Sequence, residues 1–501
     1  MKKSLIYSVL VASLFAVSCS EEFLNPVRNT ATLTDEDFVN NVDANPALVE
    51  GSLNGIYSFM ITPGGSTSLT SPRHYDIGHK GIDIWSDMVC GDMALSANAY
   101  NWYGATSNLV CTVDYTREEN KIIWNYFYKI INSANAVINA TGGNDAVPTT
   151  SEAKAILGQA KALRGYAYFY LAQLFQRSYD PSQQILPLYN GEPSSNFGKV
   201  AASEIYDLIV DDLSDAIVFL DGFQRTQKHQ INKSVAQGLL AYTYAAMGNY
   251  AQVKVLSEDI INTGGYTLTT TGQLAFPGSG SGFNNVATPS WMWGYDLNTG
   301  LGFGLVSWWG QVDYFSYSYA AAGDKKAMDR SLYDQIPAND ARKAQFSTAA
   351  ATLLMPTNKF FDQDRVAFSQ NPMDTDYIYM RIEEFYLLSA EASAKTGDDA
   401  GAKARLSQLL QNRLGGAANT SAYVNPLAGN DLKKAIYLQT RIELWGEGKS
   451  YLAMKRNQAT ATRGSNHAFL SGSSVPYDDD RLSFQIPQSE LDNNPAITTQ
   501  N

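Results

Sequence analysis

The stretch from Ile231 to Ile261 reads INKSVAQGLLAYTYAAMGNYAQVKVLSEDII. Ala236, Leu240 and Tyr244, then Ala251 and Val255, recur at helical spacing. Gly248-Asn249 breaks the period where a left-handed turn can reverse the chain. The pattern predicts two helices folded back on one another. Neither can bury its apolar face alone, so the hairpin demands further helices of the same kind. Two more candidates exist. One pairs Ile122–Ala140 with Ser151–Phe175. The other spans Tyr377–Arg413, with its turn at Gly397-Asp398-Asp399. Between them, Ser203–Leu220 is amphipathic: Ile205, Leu208, Ile209, Ala216, Ile217 and Leu220 share one face, Asp207, Asp211 and Asp215 the other, and Ser203 is the predicted N-cap.

These hairpins resemble tetratricopeptide units, but their spacing is irregular and long insertions separate them. From Asn262 to Gly323 the only charges are Asp296 and Asp313, among twelve glycines and thirteen aromatic residues that include Trp291, Trp293, Trp308 and Trp309. Glycine at that density argues against helix. Arg73–Tyr115 has a similar character, with Trp85, Asn101-Trp102-Tyr103, Cys90 and Cys111. Both read as loops and short strands leaving a helical scaffold of about 120–260 and 375–456. The fold class expected is mainly α, with an irregular ligand-binding insertion region at about 73–115 and 262–323.

Composition narrows the function. The 501 residues are 45% hydrophobic and 17% charged, with 30 Tyr, and the net charge is −12. That is not a disordered chain, and without a cluster of Lys and Arg it is not a nucleic-acid binder. The start reads as an address. Lys2 and Lys3 precede the apolar run Leu5–Val17, and small residues end at Cys19, the pattern of a signal peptide over residues 1–18. The cysteine resembles a bacterial lipobox, with Ala16 where Leu is commoner, which makes Cys19 the candidate lipidation site. The remainder, 19–501, is read as one interrupted scaffold. Cys90 and Cys111 are either a disulfide, permitted in an exported protein, or two buried thiols.

The catalytic motifs H-E-x-x-H, G-x-S-x-G and G-x-x-x-x-G-K-[ST] do not occur in the sequence. His74 and His79 are five apart without a third ligand nearby, Ca²⁺ has no loop signature, and no cofactor is expected. Glu383-Glu384 is the most visible carboxylate pair, but neighbours on a helix diverge by about 100°, so both read as structural.

Four stretches resemble the SusD/RagB family of outer-membrane nutrient-binding lipoproteins of Bacteroidetes. KALRGYAYFYLAQLF at Lys161–Phe175 is similar to the family's A-L-R-A-x-x-Y-F helix. YMRIEEFYLLSAEA at Tyr379–Ala392 is similar to its L-R-L-A-E-x-Y-L-x-x-A-E-A helix. RIELWGEGKS at Arg441–Ser450, running on to Met454-Lys455-Arg456, matches R-x-x-E-L-x-x-E-G-x-R with Lys449 in place of Arg. Phe484–Glu490 through Asn494-Pro495 to Gln500-Asn501 is similar to the family terminus. Ser20–Leu24 looks like a family opening, with acidic residues that suit display on the cell exterior. The matched charges Arg164, Arg381, Glu391, Arg441, Glu443 and Glu447 lie in helical patterns and read as buried ion pairs that lock the hairpins.

The resemblance implies a non-enzymatic, lipid-anchored protein on the outer surface. It would capture an oligosaccharide and deliver it to a SusC-like TonB-dependent transporter, closing over that partner like a lid. Alternatives are peptide capture, as in RagB-like relatives, and a glycoside hydrolase on a helical scaffold. An aromatic ring covers the C–H face of a sugar, while Asn, Asp or Arg meets its hydroxyls. The candidate ligand-binding residues are therefore Asn101, Trp102, Tyr103, Trp308, Trp309 and Tyr314, with Trp85 and Arg73. Trp124 and Trp445 are expected in the core, and Trp291 and Trp293 on one inward strand face.

Overall fold

A computed structural model describes residues 47–67, 73–191 and 197–501. The readings on the leader, on Cys19 and on Ser20–Leu24 lie outside the described residues. The helices used below are α1 (Ala47–Ile61), α2 (His79–Val89), α3 (Glu118–Ala140), α4 (Ser151–Phe175), α5 (Ala202–Phe219), α6 (Lys233–Ala246), α7 (Tyr250–Thr263), α8 (Trp308–Val312), α9 (Glu383–Lys395), α10 (Asp399–Leu410), α11 (Gly429–Glu443) and α12 (Ser450–Arg456). The strands used are β1 (Met93–Leu95), β2 (Trp291–Tyr295), β3 (Lys326–Met328) and β4 (Tyr377–Arg381).

Helices α3 to α7 pack each on the next, α7 then packs on α9, and α9 on α10 and α11. This is the mainly α hairpin array that the helical periods predict. The turns form as their residues dictate. Gly248 takes φ 78°, and Asn249 then caps α7 by accepting from the Gln252 N–H at 3.4 Å. Asp398 caps α10 in the same way, through Gly401 at 2.8 Å. Close approach also rests on glycine. A Cβ at Gly238 in α6 would lie 2.5 Å from Phe385 Cζ and 2.7 Å from Met380 Sδ. The main apolar core runs without interruption from Val49 to Ile497.

Buried ion pairs lock the array, as expected for the motif charges. Arg164 of α4 grips Asp212 of α5 with two hydrogen bonds of 2.7 Å and reaches Asn135 of α3 at 2.8 Å. Arg456 binds both oxygens of Glu391 at 3.0 Å. The densest knot surrounds Glu443. Its carboxylate accepts from Arg381 at 2.7 Å, Arg413 at 2.6 Å and Arg342 at 2.9 Å. Glu447 holds Arg381 and Lys359 from the other side. Burial alone would raise the Glu443 pKa, but the three guanidiniums outweigh it and hold the carboxyl well below its usual range.

Three details differ from the sequence reading. Arg73–Tyr115, read as loops and short strands, holds the eleven-residue helix α2 ahead of β1. Residues 377–381 are a strand, not the start of a helix, so Arg381 closes β4. Tyr377, Ile378 and Tyr379 suit a pleated surface, and β4 pairs antiparallel with β2, drawing the insertion into the core. The α5 cap is also shifted: Ala201, not Ser203, stands at the N-cap, and Glu204 reaches back to the Ala201 N–H at 3.3 Å. Cys90 and Cys111 are free, buried thiols. No helix among the described residues is long and apolar enough to cross a membrane.

Candidate functional site: an aromatic shelf

The C-terminal motif positions the site. Arg441 binds Asp92 at 2.9 Å, 349 positions away in sequence. The Trp445 indole donates to the Asp92 carbonyl at 2.8 Å, and the Gly446 N–H donates to Asp87 at 2.8 Å. The turn after α2 is thereby fixed and feeds directly into β1, which pairs antiparallel with β3. This short ladder joins the first insertion to the segment just past the second.

Immediately past β1 the loop is held by one buried carboxylate. Asp324 Oδ1 accepts from the N–H groups of Ala99 and Tyr100, each at 2.7 Å, and Oδ2 accepts from Trp102 at 3.0 Å. Asn101 and Tyr103 both take φ 66°, a left-handed conformation costly for non-glycine residues, and this anchoring sustains it. The result is a shelf of rings. His74 stacks on Trp102, with centroids 4.8 Å apart and planes 21° apart. Tyr319 meets Trp102 edge-on at 5.7 Å and Tyr100 at 5.3 Å. The Tyr319 hydroxyl hydrogen-bonds His74 Nδ1. Burial lowers the His74 pKa, which favours the neutral ring. Tyr100 is 57% exposed, Trp102 is half-buried and Asn101 beside it is exposed. The shelf thus offers the Tyr100 ring and part of the Trp102 ring next to an amide, above a Tyr319 that is itself buried.

Behind the shelf runs a polar chain. Gln311 donates to the His74 carbonyl at 2.9 Å. Lys326 donates to Gln311 Oε1 at 2.8 Å and lies 5.3 Å over the Tyr103 ring. Desolvation pushes the Lys326 pKa down to about 7, against the pull of Asp324.

The structure divides the residues singled out from sequence. Asn101 and Trp102 belong to the shelf, and Arg73 lies exposed beside it, paired with Glu118 at 2.5 Å. Trp85, Trp308, Trp309 and Tyr103 do not present a face: all four are at most 1% exposed. Trp85 packs on Tyr75 and Tyr103, and Trp308 lies against Trp309 and Phe360. The insertion is poor in aliphatic residues, so these rings supply its core. Tyr314 is half-buried against Phe315 and a small cluster with Ala320, Ala327, Leu354 and Met355. Trp124, Trp445, Trp291 and Trp293 are buried, as expected. His74, Tyr100, Tyr319 and Asp324 escape the sequence reading as site residues. Asp324 lies one position beyond the charge-poor stretch, and its acceptance of three N–H groups has no linear signature.

The carboxylate pair and the other histidine sit elsewhere. Glu383 accepts from Thr269 at 2.6 Å and Arg413 at 3.2 Å, while Glu384 accepts from Tyr242 at 2.6 Å. His79 engages Tyr166 at 2.6 Å and lies 3.3 Å from Asp83. Among the described residues, no group of three or more His, Cys, Asp or Glu is arranged to hold a metal ion.

Comparison with known proteins gives the context. A family model described as "Starch-binding associating with outer membrane" matches residues 74–245, and one described as "SusD family" matches residues 311–501. A SusD-like carbohydrate binding protein from Bacteroides vulgatus is 22% identical, with a TM-score of 0.73 over 90% of this chain and 97% of that chain. A putative sugar binding protein from the same organism is 22% identical, with a TM-score of 0.71 over 91% and 98%. A SusD superfamily protein from Bacteroides thetaiotaomicron is 20% identical, with a TM-score of 0.70 over 91% and 99%. At these identities the structural likeness establishes the fold. No curated protein matches the sequence.

Proposed function

The chain belongs to the SusD family, and from that premise we propose that it is a glycan-capture protein of the cell surface. It binds an oligosaccharide on the Tyr100–Trp102–His74–Tyr319 shelf and delivers it to a SusC-like TonB-dependent transporter, without bond chemistry. A lipid on Cys19 would tether it to the outer membrane. The observation that carries this reading is the shelf itself: an exposed Tyr100, a half-buried Trp102, an exposed Asn101 between them in sequence, and a backbone pinned by Asp324. Pre-placed rings lose little freedom on binding, which suits a shallow site for an extended sugar chain. Trp85 and Tyr103 support it through Tyr75, which meets Trp102 edge-on at 5.3 Å, while Trp308 and Trp309 pack the second insertion. The family name and the two sugar-binding relatives favour a glycan over a peptide. Glu383 and Glu384 are locked in buried contacts, so that pair is not poised to act on a glycosidic bond.

The test is Trp102→Ala and Tyr100→Ala in a soluble form starting after Cys19, measured against a glycan array and by calorimetry. Each variant loses at least tenfold in affinity for the glycan that the wild type selects, and its melting temperature holds within a few degrees. Unchanged affinity in both variants would discard the shelf. Binding to peptides alone would change the ligand class, and reducing ends released from a polysaccharide would replace capture by hydrolysis.

A further inference from the structure

A second concavity shares no lining residue with the shelf. It is an open groove of about 450 Å³ whose lining includes Gln273, Phe276, Asn285, Gln363 and Arg365. Its walls are aromatic and amide, not apolar throughout. Phe276 is 42% exposed.

Arg365 is the unusual member. Its guanidinium is packed among three phenylalanine rings, with centroid distances of 3.9 Å to Phe276, 4.1 Å to Phe315 and 4.4 Å to Phe361. Two of its five N–H donors are used, one on the Thr357 carbonyl at 2.8 Å and one on Asn358 Oδ1 at 3.2 Å. Among the described residues it forms no salt bridge. The acid whose field reaches it is Asp313. That carboxylate already accepts from the N–H groups of Phe315, Ser316 and Asp362, at 3.0, 2.9 and 3.2 Å. The packing therefore fixes the plane of a cation and leaves three donors over, with Asp313 acting on it through space and not as an ion-pair partner.

The rest of the groove is neutral and hydrogen-bonding. Gln273 Oε1 caps Thr270 at 2.9 Å, and Asn285 Oδ1 accepts from Ala287 at 2.8 Å. Their N–H₂ groups and the Gln363 amide make no hydrogen bond within the described chain. A ring platform, unengaged amides and one planar unpaired cation match a sugar that carries an anionic substituent. Arginine recognises such planar or tetrahedral oxyanions with paired hydrogen bonds.

We propose that this groove is a second glycan subsite, selective for a sugar residue bearing an anionic group, either a uronic carboxylate or a sulfate ester. The inference rests on the glycan-capture reading above and deepens it. The segment Asp313–Tyr319 serves both places: Phe315 supports Arg365, and Tyr319 supports Trp102.

The experiment compares three oligosaccharides of equal length, neutral, uronate-bearing and sulfated, by calorimetry at low salt. The variants are Arg365→Gln, Gln363→Glu and Trp102→Ala. Gln363 is exposed and makes no contact that its glutamate would break, so its variant reports charge without risk to folding. One anionic glycan binds at least tenfold tighter than the neutral one, and which one identifies the substituent. Arg365→Gln and Gln363→Glu abolish that preference while leaving neutral affinity within twofold, and Trp102→Ala weakens every glycan. Equal binding of neutral and anionic glycans, or a preference that survives both groove variants, overturns the subsite and leaves the shelf standing. No binding of any of the three by the wild type overturns both.

Discussion

Replacing Asp324 by Asn changes one oxygen for an NH₂ group and tests whether the shelf is pre-built. In the native loop, Oδ1 serves Ala99 and Tyr100 at 2.7 Å and Oδ2 serves Trp102 at 3.0 Å. The asparagine keeps its carbonyl on the first two N–H groups, which then lose the charged partner. Hydrogen bonds to charged groups are worth about 1.5–3 kcal/mol and neutral ones about 0.5–1.5, so this step costs roughly 1–2 kcal/mol. The third site fares worse: a donor now faces the Trp102 N–H, leaving it unpaired at a cost of about 1–3 kcal/mol. The sum is about 3 kcal/mol, set against a loop that also stores the φ 66° strain of Asn101 and Tyr103. The ladder bonds from Lys325 to Ala97 at 3.0 Å and from Ser96 to Lys325 at 2.8 Å survive, so the damage stays local. Hydrogen exchange reads this directly. The amides of Ala99, Tyr100 and Trp102 exchange faster by up to about a hundredfold, the factor that 3 kcal/mol represents, while amides in α4 and α9 are unchanged. Glycan affinity falls in parallel, although Asp324 touches no ligand. Exchange at the three amides within twofold of wild type would refute the claim that this carboxylate holds the shelf.

The Glu443→Gln variant leaves Arg342, Arg381 and Arg413 crowded around a neutral amide in the core. Loss of one partner from a buried ion cluster costs about 3–5 kcal/mol, read as a shift in denaturant midpoint, whereas Arg330→Ala, at an exposed pair, shifts stability by less than about 1 kcal/mol. Lys326 gives a pH signature. Its folded pKa of about 7 lies below its ordinary 10.5, so the folded state binds fewer protons between those values. Its unfavourable contribution is complete below about pH 7 and fades as pH rises toward 10.5. Denaturant titrations at pH 6.5 and 9.5 give the wild type a larger gain on going to high pH than Lys326→Met, by roughly 2–3 kcal/mol; equal gains would contradict the assignment. Alkylation of Cys90 and Cys111 with iodoacetamide proceeds only after unfolding, and mass spectrometry shows no change on adding reductant first.

The hairpins are legible in sequence because a repeated helix has one interior face and a 3.6-residue period records it. The motif arginines and glutamates are legible for a related reason: charges inside an apolar period must find partners. Tyr377–Arg381 misleads because it abuts α9 with no polar break, and strand against helix was decided by pairing with β2, a distant segment. The tryptophans are the instructive failure. Trp102 and Trp308 both stand in glycine-bearing, charge-poor stretches, and nothing local distinguishes a ring that packs from one that faces solvent. The difference is made at a distance. Phe360 and Trp309 close over Trp308, whereas Asp324 ties down the backbone around Trp102 and leaves its edge beside open space. Arg365 was invisible for the same reason, since its three phenylalanines come from three separate segments.

The β1–β3 ladder has a consequence for how the protein comes into being. It joins Met93 to Met328, and Ala99 meets Asp324 across 225 positions of sequence. Closing so long a loop carries an entropic cost that must be met before the non-local contact rewards it, so the shelf forms later than the local helix hairpins. A chain that has emerged only as far as its first helix hairpins has Trp102 but no anchor for it. Anchoring of Trp102 therefore requires the chain as far as Asp324: a clipped molecule that has lost this carboxylate has no acceptor for the Ala99, Tyr100 and Trp102 N–H groups.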